Sequence, residues 1–210
     1  MKQPTGARAD TRAAVRSLRR ADPALARLIR RVGPCRLSPG RMSSPFARLA
    51  QAIVYQQLNG RAAAAIHARF LALYRPARFP SPDALLATPD ERLRAAGLSG
   101  AKVRALKDLA AKVKDGTVPA LRRLRRLDDE EIVERLTQVR GIGRWTVEML
   151  LIFGLERPDV LPAGDFGIRK GFHVAFGTRG LPTPRQVLRR GERWKPHRTV
   201  ASWYLWRALD

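Results

Sequence analysis

Val139-Arg140-Gly141-Ile142-Gly143-Arg144-Trp145-Thr146 is a glycine-punctuated turn, and the apolar run Val147-Glu148-Met149-Leu150-Leu151-Ile152-Phe153 follows it without a break. A Pro- and Gly-bounded loop comes next and delivers one carboxylate, in Leu161-Pro162-Ala163-Gly164-Asp165-Phe166-Gly167. The first stretch reads as a helix that ends near Val139 and a second that starts at once. Gly141 and Gly143 allow backbone conformations, and a close approach, that a side chain would block. The first N–H groups of the second helix have no partner inside it, so they suit an anion such as phosphate, with Arg140, Arg144 and Thr146 beside them. Carbonyls bent back in such a turn can also hold a monovalent cation. An ordinary tight helix-to-helix connection has the same Gly-x-Gly spacing, so the turn alone leaves both readings open.

Charge favours the anion. Lys plus Arg number 41 against 18 acids, a formal net charge of +23 over 210 residues. Such a surplus points to a polyanionic partner, either nucleic acid or an acidic membrane surface. Arginine-rich composition can also follow from GC-rich coding, so it does not separate DNA from RNA. No apolar segment approaches the ~20 residues that span a bilayer, and the polar N-terminus lacks a signal-peptide core. Cys35 is the single cysteine, which excludes disulfides within the chain and a cysteine-bound iron–sulfur cluster. The simplest expectation is a cytoplasmic protein. With 45% hydrophobic residues the chain can bury a core, so the charge decorates a globular protein.

The rest of the chain reads as helical. Residues 1–20 mix Gly, Pro, Ala and Arg with little periodicity, and are expected to form a basic, partly mobile arm ahead of a core over 21–210. Asp22-Pro23 reads as an N-cap with Pro at the first helical position. Gly33-Pro34, Ser38-Pro39-Gly40 and Ser44-Pro45 punctuate a loop. Phe46, Leu49, Ala50, Ile53 and Val54 recur at helical spacing. Gln56-Gln57-Leu58-Asn59-Gly60 interrupts them before an Ala-rich helix that runs from Arg61 to about Tyr74. Ser81-Pro82-Asp83 and Thr88-Pro89-Asp90 are each expected to cap a short helix, and residues 101–114 to form a longer one. Asp128-Asp129-Glu130 places acids where a helix dipole favours them. No segment alternates over strand length, so the fold class is all-α.

Asp165, after a Gly and before an apolar helix, fits an ordinary N-cap. The same geometry with a pocket in front would hold an ionised carboxylate in a fixed direction, suited to stabilising a positively charged sugar. Spacing alone does not choose between the two.

Residues 136–172 closely resemble the helix-hairpin-helix glycosylase superfamily, whose signature is this hairpin (about 136–149), a Gly/Pro-rich loop (about 157–167) and a catalytic Asp. Within it the chain resembles the AlkA-type alkyladenine, or DNA-3-methyladenine II, glycosylases. Ile53-Val54-Tyr55-Gln56-Gln57-Leu58-Asn59 is similar to the family's wedge segment, and Gly97-Leu98-Ser99-Gly100-Ala101-Lys102 to its Gly-Leu-Ser…Lys helix. Arg157-Pro158-Asp159-Val160-Leu161-Pro162 matches the loop before the acid. Trp194-Lys195-Pro196-His197-Arg198 with Ser202-Trp203-Tyr204-Leu205-Trp206 resembles the family's C-terminal motif. These segments cover residues 46–207 in family order.

The resemblance implies two small helical subdomains, with a DNA-binding helix-hairpin-helix and an active-site cleft between them. It implies a monomer that acts on double-stranded DNA, flips out alkylated purines of the 3-methyladenine or 7-methylguanine type, and hydrolyses them away in base excision repair. Asp165 becomes the catalytic carboxylate. Trp145 stands where strand-cutting relatives carry a lysine; an indole has no nucleophilic amine, so Schiff-base chemistry there is excluded and the enzyme is monofunctional. The ring can instead stack on a cationic base, with Tyr55, Phe46 and Trp203 as further pocket candidates. Leu58 is the candidate wedge for the hole left by the flipped base, with Gln57 and Asn59 at the minor groove. The hairpin residues Gly141, Gly143, Arg140, Arg144 and Thr146 would hold a DNA phosphate, and the carbonyls of Thr137, Val139 and Ile142 a structural Na⁺ or K⁺. No redox cofactor or catalytic metal is required. The location implied is the nucleoid of a bacterial cytoplasm.

Three departures stand out. Gly164 replaces the second acid that many relatives carry before the catalytic one. His197 stands where Tyr is frequent. Residues 1–45 are too few for the strand-rich domain that precedes some relatives, so the resemblance is to the compact form. Two other readings stay open at this point: a glycosylase for deaminated or oxidised bases, and a non-enzymatic helix-hairpin-helix DNA-binding module.

Overall fold

The computed structural model describes residues 11–38, 40 and 42–210. Among these residues every regular element is helical, as the apolar spacing predicts. The chain divides into two compact units, Met1–Arg41 with Leu151–Asp210, and Met42–Leu150. The first unit opens with α1 (Thr11–Ala21) and α2 (Pro23–Val32). The second contains α3 (Pro45–Tyr55), α4 (Gly60–Ala72), α5 (Pro82–Ala87), α6 (Asp90–Ala95), α7 (Gly100–Lys114), α8 (Leu121–Leu124), α9 (Asp129–Leu136) and the start of α10 (Arg144–Phe153). The chain then returns to the first unit with α11 (Phe166–Phe176), α12 (Pro184–Gly191), a 3₁₀ turn (Glu192–Trp194) and α13 (Arg198–Arg207). None of these helices is long and apolar enough to cross a membrane.

Two expectations change here. The basic arm expected over residues 1–20 gives way to α1 from Thr11 onward, with Ala14 and Leu18 fully buried. Ala14, Val15 and Leu18 form a stripe one side chain wide, too narrow to register as periodicity among so many arginines. Residues 1–10, and Pro39 of the expected loop, lie outside the described residues. Thr88 does not cap α6, whose N-cap position is Pro89 with no side-chain cap bond. It instead ends α5, donating through Oγ1 to the Ala84 carbonyl at 2.7 Å and meeting the Tyr74 hydroxyl at 3.0 Å. Being before a proline biases Thr88 to extended backbone, and its hydroxyl finds the preceding turn.

Side-chain caps begin several other helices. Ser44, Asn59, Ser81, Ser99 and Asp128 each accept an N–H from the first turn that follows, satisfying a donor that would otherwise cost about 1 kcal/mol. Asp22 does more than cap α2. It is fully buried, takes the Ala24 and Leu25 N–H groups, a two-pronged bond from Arg190 at 2.8 Å on each oxygen, and the Trp194 indole N–H at 3.1 Å. Trp194 is itself fully buried against Phe172 and Phe176. One carboxylate thus ties α2, α12 and the 3₁₀ turn to the core of the first unit. Tyr204 closes another side of that core by donating to the Gly33 carbonyl at 2.9 Å, and burial pushes its phenol pKa up to about 12.

Candidate active site

In the unit Met42–Leu150, two loops are fastened together by α7. Lys102, on its first turn, donates Nζ–H to the carbonyls of Val54 at 2.7 Å and Gln56 at 2.8 Å. These are orphan carbonyls at the end of α3, and a lysine that answers them is worth more than its charge. Burial lowers the Lys102 pKa. Gln56 in turn donates Nε2–H to the Gly141 carbonyl at 2.8 Å. Asp108, further along α7, accepts the Arg140 N–H at 2.7 Å. The base of the Gln56–Asn59 loop and the hairpin are therefore held on one scaffold.

What the scaffold presents is strained and apolar. Gln57 has φ 57°, left-handed backbone without a glycine, a conformation that costs of order 1–3 kcal/mol. Leu58 follows it and is 38% exposed, so it is not part of the core. Asn59 turns its side chain back to cap α4 through the Ala62 N–H at 2.9 Å. Trp145, in the first turn of α10, is 51% exposed, which likewise sets aside a core role.

The hairpin is more occupied than its sequence suggests. Gly141 has φ 78°, which requires glycine. A side chain at Gly143 would meet open space, so nothing within the protein demands glycine there. The Arg140 N–H is spent on Asp108 and the Ile142 N–H on the Val139 carbonyl, while Thr146 and Val147 donate to Gly143. Among the described residues no acceptor meets the N–H groups of Gly143 and Arg144. The Arg144 guanidinium pairs with Glu130 and, at 3.4 Å, with Glu148, and its bond to Glu130 raises its pKa. Thr146 is 8% exposed, whereas Arg140 is exposed. Of the expected phosphate ligands, the Gly143 N–H and the Arg140 side chain are presented outward.

Of the proposed pocket aromatics, Phe46 is buried and meets Phe79 edge-on at 5.3 Å. Tyr55 is half-buried against His67 at 5.9 Å. Burial pushes the His67 pKa down, and no hydrogen bond reaches its Nε2.

In the other unit Asp165 is the N-cap of α11. Its Oδ1 accepts the Ile168 N–H at 2.7 Å and the Trp206 Nε1–H at 2.9 Å. Trp206 is stacked on Phe153 at 6.0 Å. Two glycines make this possible. A Cβ at Gly171 would lie 1.9 Å from the Leu205 carbonyl oxygen, and one at Gly167 3.0 Å from both Asp165 Oδ1 and the Trp206 ring. Only glycine at 171 lets α11 and α13 cross closely enough for Trp206 to reach the acid. The start of α13 is stitched to the loop before Asp165. Arg198 grips Asp159 with Nε at 2.7 Å and a second nitrogen at 2.8 Å, and Asp159 also takes the Arg198 N–H. Thr199 accepts the Val160 N–H and donates to the Arg157 carbonyl. Gly164 has open space around it, and Phe166 stands 65% exposed. Trp203 is half-buried, edge-on to Tyr204 at 4.9 Å. His197 precedes α13 without capping it.

The sequence places Trp206, Asp159 and Lys102 in segments that resemble the family's motifs, but gives neither them nor Gly171 the contacts found here. One signal was available: Gly171 interrupts a helical pattern, which costs about 1 kcal/mol against Ala unless close packing requires it. The Asp159–Arg198 and Lys102–carbonyl bonds span long sequence separations and leave no local mark.

A family model described as HhH-GPD superfamily base excision DNA repair protein matches residues 50–197. The chain is 42% identical over 184 residues to DNA-3-methyladenine glycosylase 1 of Schizosaccharomyces pombe, covering 86% of this chain and 80% of the relative. A solved structure of the Schizosaccharomyces pombe 3-methyladenine DNA glycosylase in complex with abasic DNA superposes with TM-score 0.81 at 40% identity, over 93% of this chain and 95% of that one. The DNA-3-methyladenine glycosidase of Bacillus halodurans gives 0.83 at 33% identity, over 93% and 88%.

Proposed function

The chain belongs to the HhH-GPD superfamily of base excision DNA repair proteins, and we propose that it is a monofunctional DNA glycosylase that excises alkylated purines from duplex DNA. The observation that carries this is Asp165, one carboxylate fixed in direction by the Ile168 N–H and the Trp206 indole.

A base inside the stack is out of reach, so the nucleotide rotates out at a cost of a few kcal/mol. Leu58 fills the vacated position. Trp145 offers a flat, electron-rich face to a cationic base such as 3-methyladenine or 7-methylguanine. Such a base leaves readily, so the protein's task is to support the oxocarbenium-like sugar and to bring in water. Asp165 does both, by electrostatic stabilisation and by taking a proton from the attacking water. The atoms balance: the N-glycosidic bond breaks, the base departs with its electron pair, and water supplies the hydroxyl at the sugar carbon. Trp145 cannot form a Schiff base, so the DNA strand stays intact. The Gly143 N–H and Arg140 take a DNA phosphate. The carbonyls of Thr137, Val139 and Ile142 would hold Na⁺ or K⁺; Val139 already accepts the Ile142 N–H, which leaves its second lone pair for the ion.

Incubation with methylated duplex DNA tests the reading. Free 3-methyladenine or 7-methylguanine is expected, with strands nicked only after hot alkali. Strand cleavage without alkali would overturn the monofunctional mechanism. Release of hypoxanthine or an oxidised base in preference to methylated ones would move the substrate class.

A further inference from the structure

A second basic feature lies at the C-terminal end of α11, roughly 15 Å along the helix from Asp165 at 1.5 Å per residue. A concavity of ≈ 500 Å³ opens there on the unit that carries Asp165. Of its ten lining residues four are arginines, Arg179, Arg189, Arg190 and Arg193, and none is acidic. Phe172 and Pro182 are buried and form an apolar floor.

The walls are built. Gly177 ends α11 in the left-handed conformation. The loop that carries Arg179 is then held by His173 Nδ1 against the Thr178 hydroxyl at 3.0 Å, by that hydroxyl donating to the Gly180 carbonyl at 2.7 Å, and by Arg169 donating to the Pro182 carbonyl at 2.7 Å. Arg190 is spent on Asp22 and lies over the Phe176 ring at 3.9 Å. The other three are not: among the described residues no hydrogen bond or ion pair engages the guanidinium of Arg179, Arg189 or Arg193. Arg179, Arg189 and Arg193 are exposed, and cations gathered on one concavity without an acid repel one another, less strongly as salt screens them. An anion with several oxygens relieves the repulsion, and guanidinium forks match phosphate oxygens two at a time.

We infer that this concavity is a phosphate-binding site, distinct from the hairpin, filled by a backbone phosphodiester of duplex DNA or by a free phosphate. It needs no role for Asp165 and so stands or falls apart from the excision chemistry.

The test uses the full chain carrying Arg179→Gln, Arg189→Gln and Arg193→Gln together, beside a charge-matched control with Arg20→Gln, Arg27→Gln and Arg31→Gln on the exposed faces of α1 and α2. If duplex DNA supplies the phosphate, the slope of log affinity against log salt for undamaged duplex falls by about 0.9 for each phosphate that the pocket variant no longer neutralises, and does not fall in the control. The single-turnover rate at saturating protein stays at the wild-type value. If free phosphate is the ligand, the DNA slope is unchanged, and calorimetry with pyrophosphate gives heat for wild type and control but none for the pocket variant. Equal slopes in the two variants together with equal pyrophosphate heats would overturn the site.

Discussion

The hairpin and the Gln56–Asn59 loop differ from the Asp165 corner in how each is held. The first pair presents what a folded chain normally hides: a half-exposed Trp145, an exposed Leu58 and a left-handed Gln57. The corner is the reverse, a carboxylate pinned by a backbone N–H and an indole, behind a helix crossing that admits no Cβ at Gly171. If the exposed and strained groups complete their contacts on DNA, as proposed, substitutions there should weaken the grip on DNA and spare the fold. Groups already satisfied internally serve chemistry or cohesion, so substitutions there cost catalysis or stability.

The largest effect expected on the corner side is Asp165→Asn. Asn caps a helix as well as Asp does, so the melting temperature and duplex affinity should stay near wild type. Base release should fall by at least about 10²–10³-fold, the usual loss when one preorganised electrostatic group goes.

Asp22→Ala comes next and acts on stability alone. Removing the buried carboxylate leaves the partly exposed Arg190 and the buried Trp194 N–H without their acceptor, at about 1–3 kcal/mol, readable by urea denaturation. Its pH dependence has a definite sign. Burial alone would raise the Asp22 pKa, but the bonds from Arg190, Trp194 and the Leu25 N–H outweigh it and set the pKa below the ordinary 3.8. A folded-state pKa below the unfolded one gives stability that is complete above pH 3.8 and is lost as the pH falls through the folded value. Acid titration of Asp22→Asn should lack that component.

Gly171→Ala forces the α11–α13 backbones apart. Overpacking of this kind costs about 1–3 kcal/mol, and because Leu205 adjoins Trp206, excision should fall along with the melting temperature. A variant that melts lower but excises at the wild-type rate would break the link between the crossing and the acid.

Leu58→Ala is the smallest change to the fold. Exposed positions move stability by less than about 0.5 kcal/mol. Burying the leucine side chain in the DNA stack is worth about 1.5–3 kcal/mol, so base flipping, followed by 2-aminopurine fluorescence beside the lesion, should drop roughly tenfold or more. A lower melting temperature with normal flipping would make Leu58 structural.

Much of this is legible in the sequence where the cause is local. N-caps at Asp22, Ser81 and Asp165, the hairpin glycines and the apolar spacing of α3 and α7 announce themselves within a turn or two. α1 escapes notice because Ala14 and Leu18 make only a thin stripe, and Thr88 misleads because a hydroxyl can serve the turn behind it as easily as the one ahead. Glu130 and Glu148 on Arg144, Asp108 on the Arg140 N–H and Trp206 on Asp165 depend on packing between distant segments. They change which hairpin groups are presented for phosphate, and which side chain steadies the acid.

Asp165 is the group proposed to perform the excision chemistry. Single-turnover release of 7-methylguanine from methylated duplex, with wild type and Asp165→Asn at saturating protein and with duplex affinity measured in parallel, tests this role most directly. Equal affinity is expected, with release from the variant slower by at least about 10²–10³-fold. Release at a rate comparable to wild type would contradict the role.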